Sequence, residues 1–196
     1  MDFTDPCKVP ARPVTTTGMS ALTLPLNPPD GRAMASPLEA RFRQLWDQHG
    51  PALGRVARSY TRTRAEQEDL LQEISLGLWR ALPGFRGECS ERTFAFRIAH
   101  NLGLNHAMRR KPGEPEVEVP DPRPDPETRA GDAQRRERLL GAIRGLPLPY
   151  RQVITLALEE MSHQEIADIL GLTANNTAVR LSRAREMLRA ALMEKP

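Results

Sequence analysis

Apolar residues recur every three or four positions through two stretches of this chain, a spacing that predicts amphipathic helices. The first stretch runs over 38–110 and is interrupted at Pro83-Gly84. The second runs over 133–193 and is divided at three points: Pro147, Met161-Ser162 and Gly171. No segment alternates apolar and polar residues over a useful length, as a half-buried strand would. The pattern therefore predicts an all-α protein of two small helical domains, the second a helix-turn-helix domain.

Composition divides the chain into four segments. Residues 1–36 contain six prolines and little helical periodicity. Such a segment buries too little apolar area to offset the entropy of ordering it, so we predict a disordered leader. Residues 37–111 and 133–196 are the two predicted helical domains, called here the first and the second module. Residues 112–132 between them hold six more prolines and, counted with Lys111, seven acids against three bases, which predicts an extended, flexible acidic linker.

The composition argues against a membrane, export or metal role. No run approaches the ~20 consecutive apolar residues that a transmembrane helix needs. Asp2 and Asp5 stand where an export signal carries positive charge, and the two cysteines lie far apart without zinc-site spacing. We therefore predict a cytoplasmic protein with no membrane insertion, no metal, no cofactor and no catalytic residue. Met34, just before the first predicted helix, leaves two candidate translation starts, Met1 and Met34.

The second module contains the residues of a helix-turn-helix. Ser162, followed three residues later by Glu165, forms a capping box that starts a short helix. Gly171 can adopt the left-handed conformation that ends this helix. Thr173 can then cap the helix that follows. A capped short helix, a glycine turn and a second helix together predict a DNA-binding motif.

The charges of this motif favour DNA binding by its later helix. Residues 159–170 carry four acids and no base, whereas residues 174–196 carry a net charge of +3. The later helix is therefore the one that can approach phosphate. Its amino-terminal side chains can contact base edges in the major groove, and they are Asn175, Asn176 and Thr177. The alternative is an ordinary helical hairpin with a solvated basic face.

The first module contains an acidic patch, EQEDLLQE over residues 66–73. On a helix Glu66, Asp69 and Glu73 share one side, opposite the apolar side that contains Leu70. Grouped carboxylates can indicate catalysis or metal binding, but these are spread along a helix with no histidine or cysteine beside them. We interpret the patch as a solvated face or a protein-docking face.

The next helical segment is basic. Residues 92–111 hold five bases and no acid, interleaved with Phe94, Phe96, Asn101 and Asn105. Bases that attract phosphate, together with aromatic and amide groups that stack on or bond to nucleobases, are typical of a surface that binds single strands. The alternative is that the phenylalanines are core residues, which we expect for one of the two because residues two apart on a helix point to different sides.

Together the two modules resemble a known family. The segment EQEDLLQEISLGLWRALPGFRGECSERTFAFRIAHNLGLNHAMRR resembles region 2 of the extracytoplasmic-function sigma factors. The segment LLGAIRGLPLPYRQVITLALEEMSHQEIADILGLTANNTAVRLSRAREML is similar to their region 4. The resemblance covers about 38–193 apart from the linker. It implies an alternative sigma factor, which binds core RNA polymerase and directs promoter recognition, DNA opening and transcription initiation.

The resemblance also implies roles for particular residues. The acidic face would dock on the beta-prime clamp through Glu66, Asp69, Leu70, Gln72 and Glu73. The loop 87–92 and the helix after it would capture the opened minus-ten element of promoter DNA through Arg92, Phe94, Arg97, Asn101, Asn105, Arg109 and Arg110. The second module would meet the beta flap and the duplex minus-thirty-five element, the latter through Asn175, Asn176, Thr177, Arg180, Ser182, Arg183 and Arg185. An anti-sigma factor is a further partner that the resemblance allows.

Some positions depart from the family. Phe94 stands where tryptophan is usual, His100 where arginine is common, and Ala178 and Val179 where polar residues are frequent. These departures bear on which promoter is recognised.

Two other functions remain as alternatives. A stand-alone helix-turn-helix regulator would account for 133–193 but leave the features of 66–111 without a use. A serine recombinase would need a mixed-sheet catalytic domain in the amino-terminal half, which the sequence predicts to be helical.

Overall fold

The computed structural model describes residues 36–109 and 127–193, and within these ranges it contains helices and no strand. Over the same ranges the helices are α1 (Pro37–Tyr60), α2 (Arg64–Ala81), α3 (Glu91–Arg109), α4 (Glu127–Gly145), α5 (Leu148–Leu158), α6 (His163–Leu170) and α7 (Ala174–Met193). A short 3-10 turn, Leu82–Gly84, follows α2. The all-α prediction is confirmed. The predicted leader lies outside the described residues except for Ser36.

The predicted helix starts and stops are present. The Glu39 amide donates to the Ser36 hydroxyl at 3.2 Å at the start of α1. At α6 the Glu165 amide donates to the Ser162 hydroxyl at 3.2 Å, and the Glu165 carboxylate accepts from the Ser162 amide at 2.8 Å. Gly171 ends α6 with a φ of 64°, the left-handed conformation that glycine adopts without strain. These local interactions therefore set the boundaries of the helix-turn-helix.

The linker prediction is wrong at its carboxy-terminal end. Helix α4 begins at Glu127, inside the segment 112–132 that we expected to be extended. Pro126 precedes this first helical residue in the sequence, and proline is common at helix starts because its fixed φ suits the first turn. A good helix start therefore outweighs the acidic composition there. The rest of the predicted linker, to residue 126, lies outside the described residues.

Each module is a group of mutually packed helices. Helices α1, α2 and α3 pack against one another, and α7 packs against α4, α5 and α6. The approach of α1 to α3 is close because Gly103 has no side chain: a Cβ there would lie 2.5 Å from Cδ2 of Tyr60. None of the described helices is both long and apolar enough to cross a bilayer.

The two modules also pack against each other. Helix α6 lies on α3, and α4 and α5 contact α1. The buried apolar residues of both modules form one contiguous cluster that extends from Leu45 to Leu188. The structure is therefore a closed arrangement in which the second module covers part of the first.

Candidate polymerase and nucleic-acid interfaces

The acidic start of α2 contains both exposed carboxylates and a helix cap. Asp69, Gln72 and Glu73 are exposed. The Glu66 carboxylate instead accepts hydrogen bonds from the backbone amides of Arg62 at 2.7 Å and Thr63 at 3.3 Å, and the Thr63 hydroxyl accepts from the Glu66 amide at 3.2 Å. This is a second capping box, which the sequence analysis missed although the pattern Thr63-x-x-Glu66 was present.

The same face of α2 continues into apolar residues that sequence reasoning did not select. Leu76 is 46% exposed and Trp79 is 38% exposed, and their spacing from Asp69 and Gln72 places them on one side of the helix. Leu70, which was predicted with the docking residues, is only 1% exposed and belongs to the core. In this conformation Leu70 supports the face from beneath.

Helix α3 is more deeply buried than its sequence suggested. All residues from Thr93 to His100 are buried. The prediction that one of Phe94 and Phe96 would be a core residue holds for both, so the expectation that the other would point to an open side is wrong. The ring of Phe94 lies 4.5 Å from that of Phe85. The reason is tertiary: α1 and α2 pack against α3, and so does α6.

The residues predicted to bind the minus-ten element therefore fall into two groups. Asn101, Asn105 and Arg109 are exposed on the carboxy-terminal half of α3. Arg92 is half-buried, while Phe94 and Arg97 are each 7% exposed. Arg110 lies outside the described residues. Only the first group is available to a strand of DNA in the closed arrangement.

The two covered arginines bond to the second module. The Arg92 guanidinium donates to the backbone carbonyl of Glu159, and that of Arg97 donates to the backbone carbonyl of Asp168 at 2.5 Å. Beside them Arg55 of α1 makes a bidentate pair with the Glu159 carboxylate, at 2.8 and 2.6 Å. This hydrogen bonding raises the pKa of Arg55, so the guanidinium stays charged.

His100 is a buried histidine at the same junction. Its Nδ1 lies 2.9 Å from the Tyr60 hydroxyl and its Nε2 lies 3.4 Å from the side-chain nitrogen of Gln152 on α5. Burial lowers the pKa of His100 to about 4 and raises the pKa of Tyr60. Both groups are therefore neutral near pH 7, as a largely dry environment requires.

The outer face of α7 is open in the same structure. Asn175, Asn176, Ser182, Arg183 and Arg185 are exposed, and Arg180 is partly exposed. The helix is capped by Thr173, whose hydroxyl accepts from the Asn176 amide at 3.2 Å, as predicted. Amide and guanidinium groups at the free amino-terminal end of a helix have the chemistry to contact base edges and phosphates.

Thr177 does not belong to this face. The sequence placed Thr177 among the DNA-contacting residues, but its side chain is fully buried beneath α7. Its hydroxyl has no hydrogen-bond partner among the described residues. Thr177 lies two residues after Asn175 and therefore points to the opposite side of the helix. Val179, by contrast, is 44% exposed and joins the outer face.

The described residues contain no group of three or more histidine, cysteine or acidic side chains arranged to hold a metal ion. The prediction that the whole chain binds no metal or cofactor stays a prediction.

Comparison with known protein families matches both modules. Residues 45–112 match Sigma-70 region 2, and residues 136–188 match Sigma-70 region 4. The two matches lie on the α1–α3 group and on the α4–α7 group.

Individual relatives agree with the family matches. The chain is 30% identical over 171 residues to the RNA polymerase sigma factor CnrH of Cupriavidus metallidurans, covering 81% of this chain and 90% of that protein. It is 30% identical over 134 residues to the ECF RNA polymerase sigma-E factor of Escherichia coli K12, covering 61% of this chain and 70% of that protein.

Two solved structures have a similar fold. CnrH in complex with the cytosolic domain of CnrY matches with a TM-score of 0.64 and 28% identity, covering 83% of this chain and 94% of that chain. The sigma factor RpoE of Bartonella quintana in complex with the anti-sigma factor NepR matches with a TM-score of 0.62, covering 80% of this chain and 99% of that chain. At 21% identity the second likeness shows the fold alone.

Proposed function

We propose a division of labour between the two modules of this chain, which belongs to the extracytoplasmic-function family of RNA polymerase sigma factors. The chain is an alternative sigma factor that directs transcription initiation, and its partners are core RNA polymerase and promoter DNA. In the proposal, the outer face of α7 holds the duplex minus-thirty-five element, the exposed half of α3 holds the opened minus-ten strand, and the polymerase performs the chemistry.

The observation that carries the duplex assignment is the exposed amino-terminal end of α7. Asn175 and Asn176 supply amides that can bond to base edges, and Arg183 lies about two turns further along, where it can reach phosphate. The opposite side of α7, with Thr177 and Leu181, is buried in the module. The helix is therefore held rigidly with one face toward DNA, as groove recognition requires.

The minus-ten assignment is supported by the polar groups along α3. Asn101, Asn105 and Arg109 are spaced four residues apart, so they form one exposed row on the helix. Amides can bond to the edges of unpaired bases and an arginine can pair with the backbone. Arg97, four residues before Asn101 on the covered half of the same helix, would extend this row once α6 leaves α3.

Replacing Arg183 tests the duplex assignment. We expect Arg183→Ala to weaken binding of holoenzyme to a promoter duplex about tenfold and to reduce the slope of log affinity against log salt by about one. Arg189→Ala is the matched control, because Arg189 is an exposed arginine of the same helix but lies further from its amino-terminal end. Equal effects of the two substitutions on affinity and slope would contradict the assignment.

Replacing Asn101 tests the strand assignment. Asn101→Ala should leave duplex binding unchanged and reduce the reactivity of opened thymines to permanganate, because the amide contacts bases only after the strands separate. Asn175→Ala should show the opposite pattern, because it should already weaken binding to the promoter duplex. If Asn101→Ala weakened duplex binding as much as opening, α3 would not have the proposed role.

An anti-sigma factor is a further proposed partner. It is supported by the likeness to two sigma factors whose structures were solved with a bound protein, one of them named an anti-sigma factor. As a sigma factor acting on RNA polymerase, the chain would work in the cytoplasm and have no enzymatic activity of its own. The leader over 1–36 and a linker that ends before α4 are likewise proposed from composition.

A further inference from the structure

The turn between α5 and α6, together with α6 itself, binds two arginines that the proposed function needs for DNA. Arg92 donates to the carbonyl of Glu159, in this turn, and Arg97 donates to the carbonyl of Asp168, in α6. Arg97 is 7% exposed, so DNA phosphate cannot reach its guanidinium while the modules remain in contact. Arg92 and Arg97 can therefore bind either the second module or DNA, but not both at the same time.

The occupying groups are anionic or strongly polar oxygen acceptors, as a DNA backbone would be. The Glu159 carboxylate is bound by Arg55 through two hydrogen bonds, and the side chain of Glu159 is only 7% exposed. Guanidinium groups bind carboxylate and phosphate with the same fork geometry. The turn thus presents the carboxylate of Glu159 to Arg55, which anchors it, and the carbonyl of Glu159 to Arg92, where a strand would present a phosphate.

The closed arrangement also cannot span a promoter. Elements centred about 25 base pairs apart on B-form DNA are separated by about 85 Å at ~3.4 Å per base pair. In the structure α6 lies directly on α3, and hydrogen bonds such as that from Arg97 to Asp168 join the helices of the two modules. The modules must therefore separate before both elements are bound, and separation releases Arg92 and Arg97.

We propose that the α5–α6 turn is an internal competitor of the minus-ten strand, which holds the free chain closed through Glu159. Core polymerase opens the chain by binding the two modules at separate sites. The isolated protein is therefore poor at binding single-stranded DNA because its own second module fills part of the surface. This inference rests on the proposed role of α3.

The test compares two full-length variants that lose the same charge. Glu159→Gln removes the carboxylate that binds Arg55. Glu160→Gln is the matched control, because Glu160 is the next residue and is exposed. Free protein is titrated onto a short, fluorescently labelled single-stranded DNA of random sequence. Small-angle X-ray scattering of the same samples measures the radius of gyration.

We expect Glu159→Gln to bind this strand about tenfold more tightly than Glu160→Gln and to have a larger radius of gyration. The pair is buried only on the Glu159 side, so removing one partner should have an effect of about this size, between those of an exposed pair and of a fully buried one. Arg55→Gln removes the same pair from the first module, at a side chain that is 62% exposed, and should expand the chain equally. Its control is Arg43→Gln, at an arginine that is 64% exposed and pairs within α1.

Equal strand affinity and equal radius for Glu159→Gln and Glu160→Gln would overturn the inference, as would expansion without a gain in affinity. A Glu159→Gln variant that has lost its helical circular dichroism would be judged through Arg55→Gln, with the same criteria for the radius. Failure of the proposed function would look different: Asn101→Ala would then open promoters normally with core polymerase, whatever the free Glu159→Gln variant did.

Discussion

His100 makes the stability of this protein depend on pH in a predictable direction. The imidazole is buried between α1, α3 and α5, beside the Tyr60 hydroxyl and Gln152. Burial lowers its pKa from 6.5 to about 4 in the folded chain. In the unfolded chain the imidazole is solvated and keeps its ordinary pKa. Between these two values the unfolded state binds a proton that the folded state does not.

The magnitude follows from the two pKa values. Stability is fully present above the unfolded value and is lost as the pH falls from about 6.5 toward about 4. The full difference corresponds to about 3 kcal/mol, at ~1.4 kcal/mol per pKa unit. Between about pH 7 and about pH 5 the free energy of unfolding should fall by about 2 kcal/mol through His100 alone.

Urea unfolding followed by circular dichroism at the two pH values measures this loss. His100→Gln keeps a polar side chain but cannot bind a proton, so its free energy of unfolding should fall by about 2 kcal/mol less than that of the unmodified chain. His163→Gln is the control, because His163 is exposed at the start of α6. Half-buried His49, whose pKa is also lowered, is present in all three proteins, so its contribution cancels in the comparison. Identical pH dependence in His100→Gln and the unmodified chain would refute the reasoning.

Two further substitutions test the packing. Gly103→Ala should lower the free energy of unfolding by about 1–3 kcal/mol, because its Cβ would lie 2.5 Å from Cδ2 of Tyr60. Gly141→Ala should instead raise the free energy of unfolding by about 0.5–1 kcal/mol, because the added Cβ would meet no packed neighbour within 4 Å. A lower free energy of unfolding for Gly141→Ala would contradict the packing described. Thr177→Val replaces a buried hydroxyl by a methyl group, so stability should stay equal or rise by up to about 1 kcal/mol. Duplex affinity of the holoenzyme should be unchanged, and a loss would restore Thr177 as a DNA contact.

The features that were predicted correctly from the sequence depend on residues that are close together along the chain. The capping box of Ser162 and Glu165, the left-handed Gly171 and the cap at Thr173 are interactions within a few residues, and all are present. Helical periodicity likewise predicted the helices on either side of these signals, because it depends on spacing alone. Family resemblance then identified the two modules, and the comparisons confirmed it.

The sequence did not predict which side chains are exposed. Phe94 and Arg97 carry the chemistry of strand binding, yet both are buried: Phe94 lies against Phe85, and Arg97 bonds to α6, more than 60 residues later in the chain. Thr177 is polar and lies among residues that are proposed to contact the groove, but the helix turn directs it into the core. Such burial depends on long-range packing, which spacing along one helix does not determine. The pairing of Arg55 with Glu159 is of the same kind.

In vitro transcription is the most direct test of the account as a whole. Purified chain and core RNA polymerase are incubated with a fragmented genomic template, and the 5′ ends of the transcripts are mapped. The account predicts start sites that appear only with the chain and share two upstream elements. Both Asn101→Ala and Arg183→Ala should reduce the number of transcripts from these start sites. Asn101→Ala should do so by impairing strand opening, and Arg183→Ala by weakening duplex binding. Transcripts whose start sites are the same with and without the chain would contradict it.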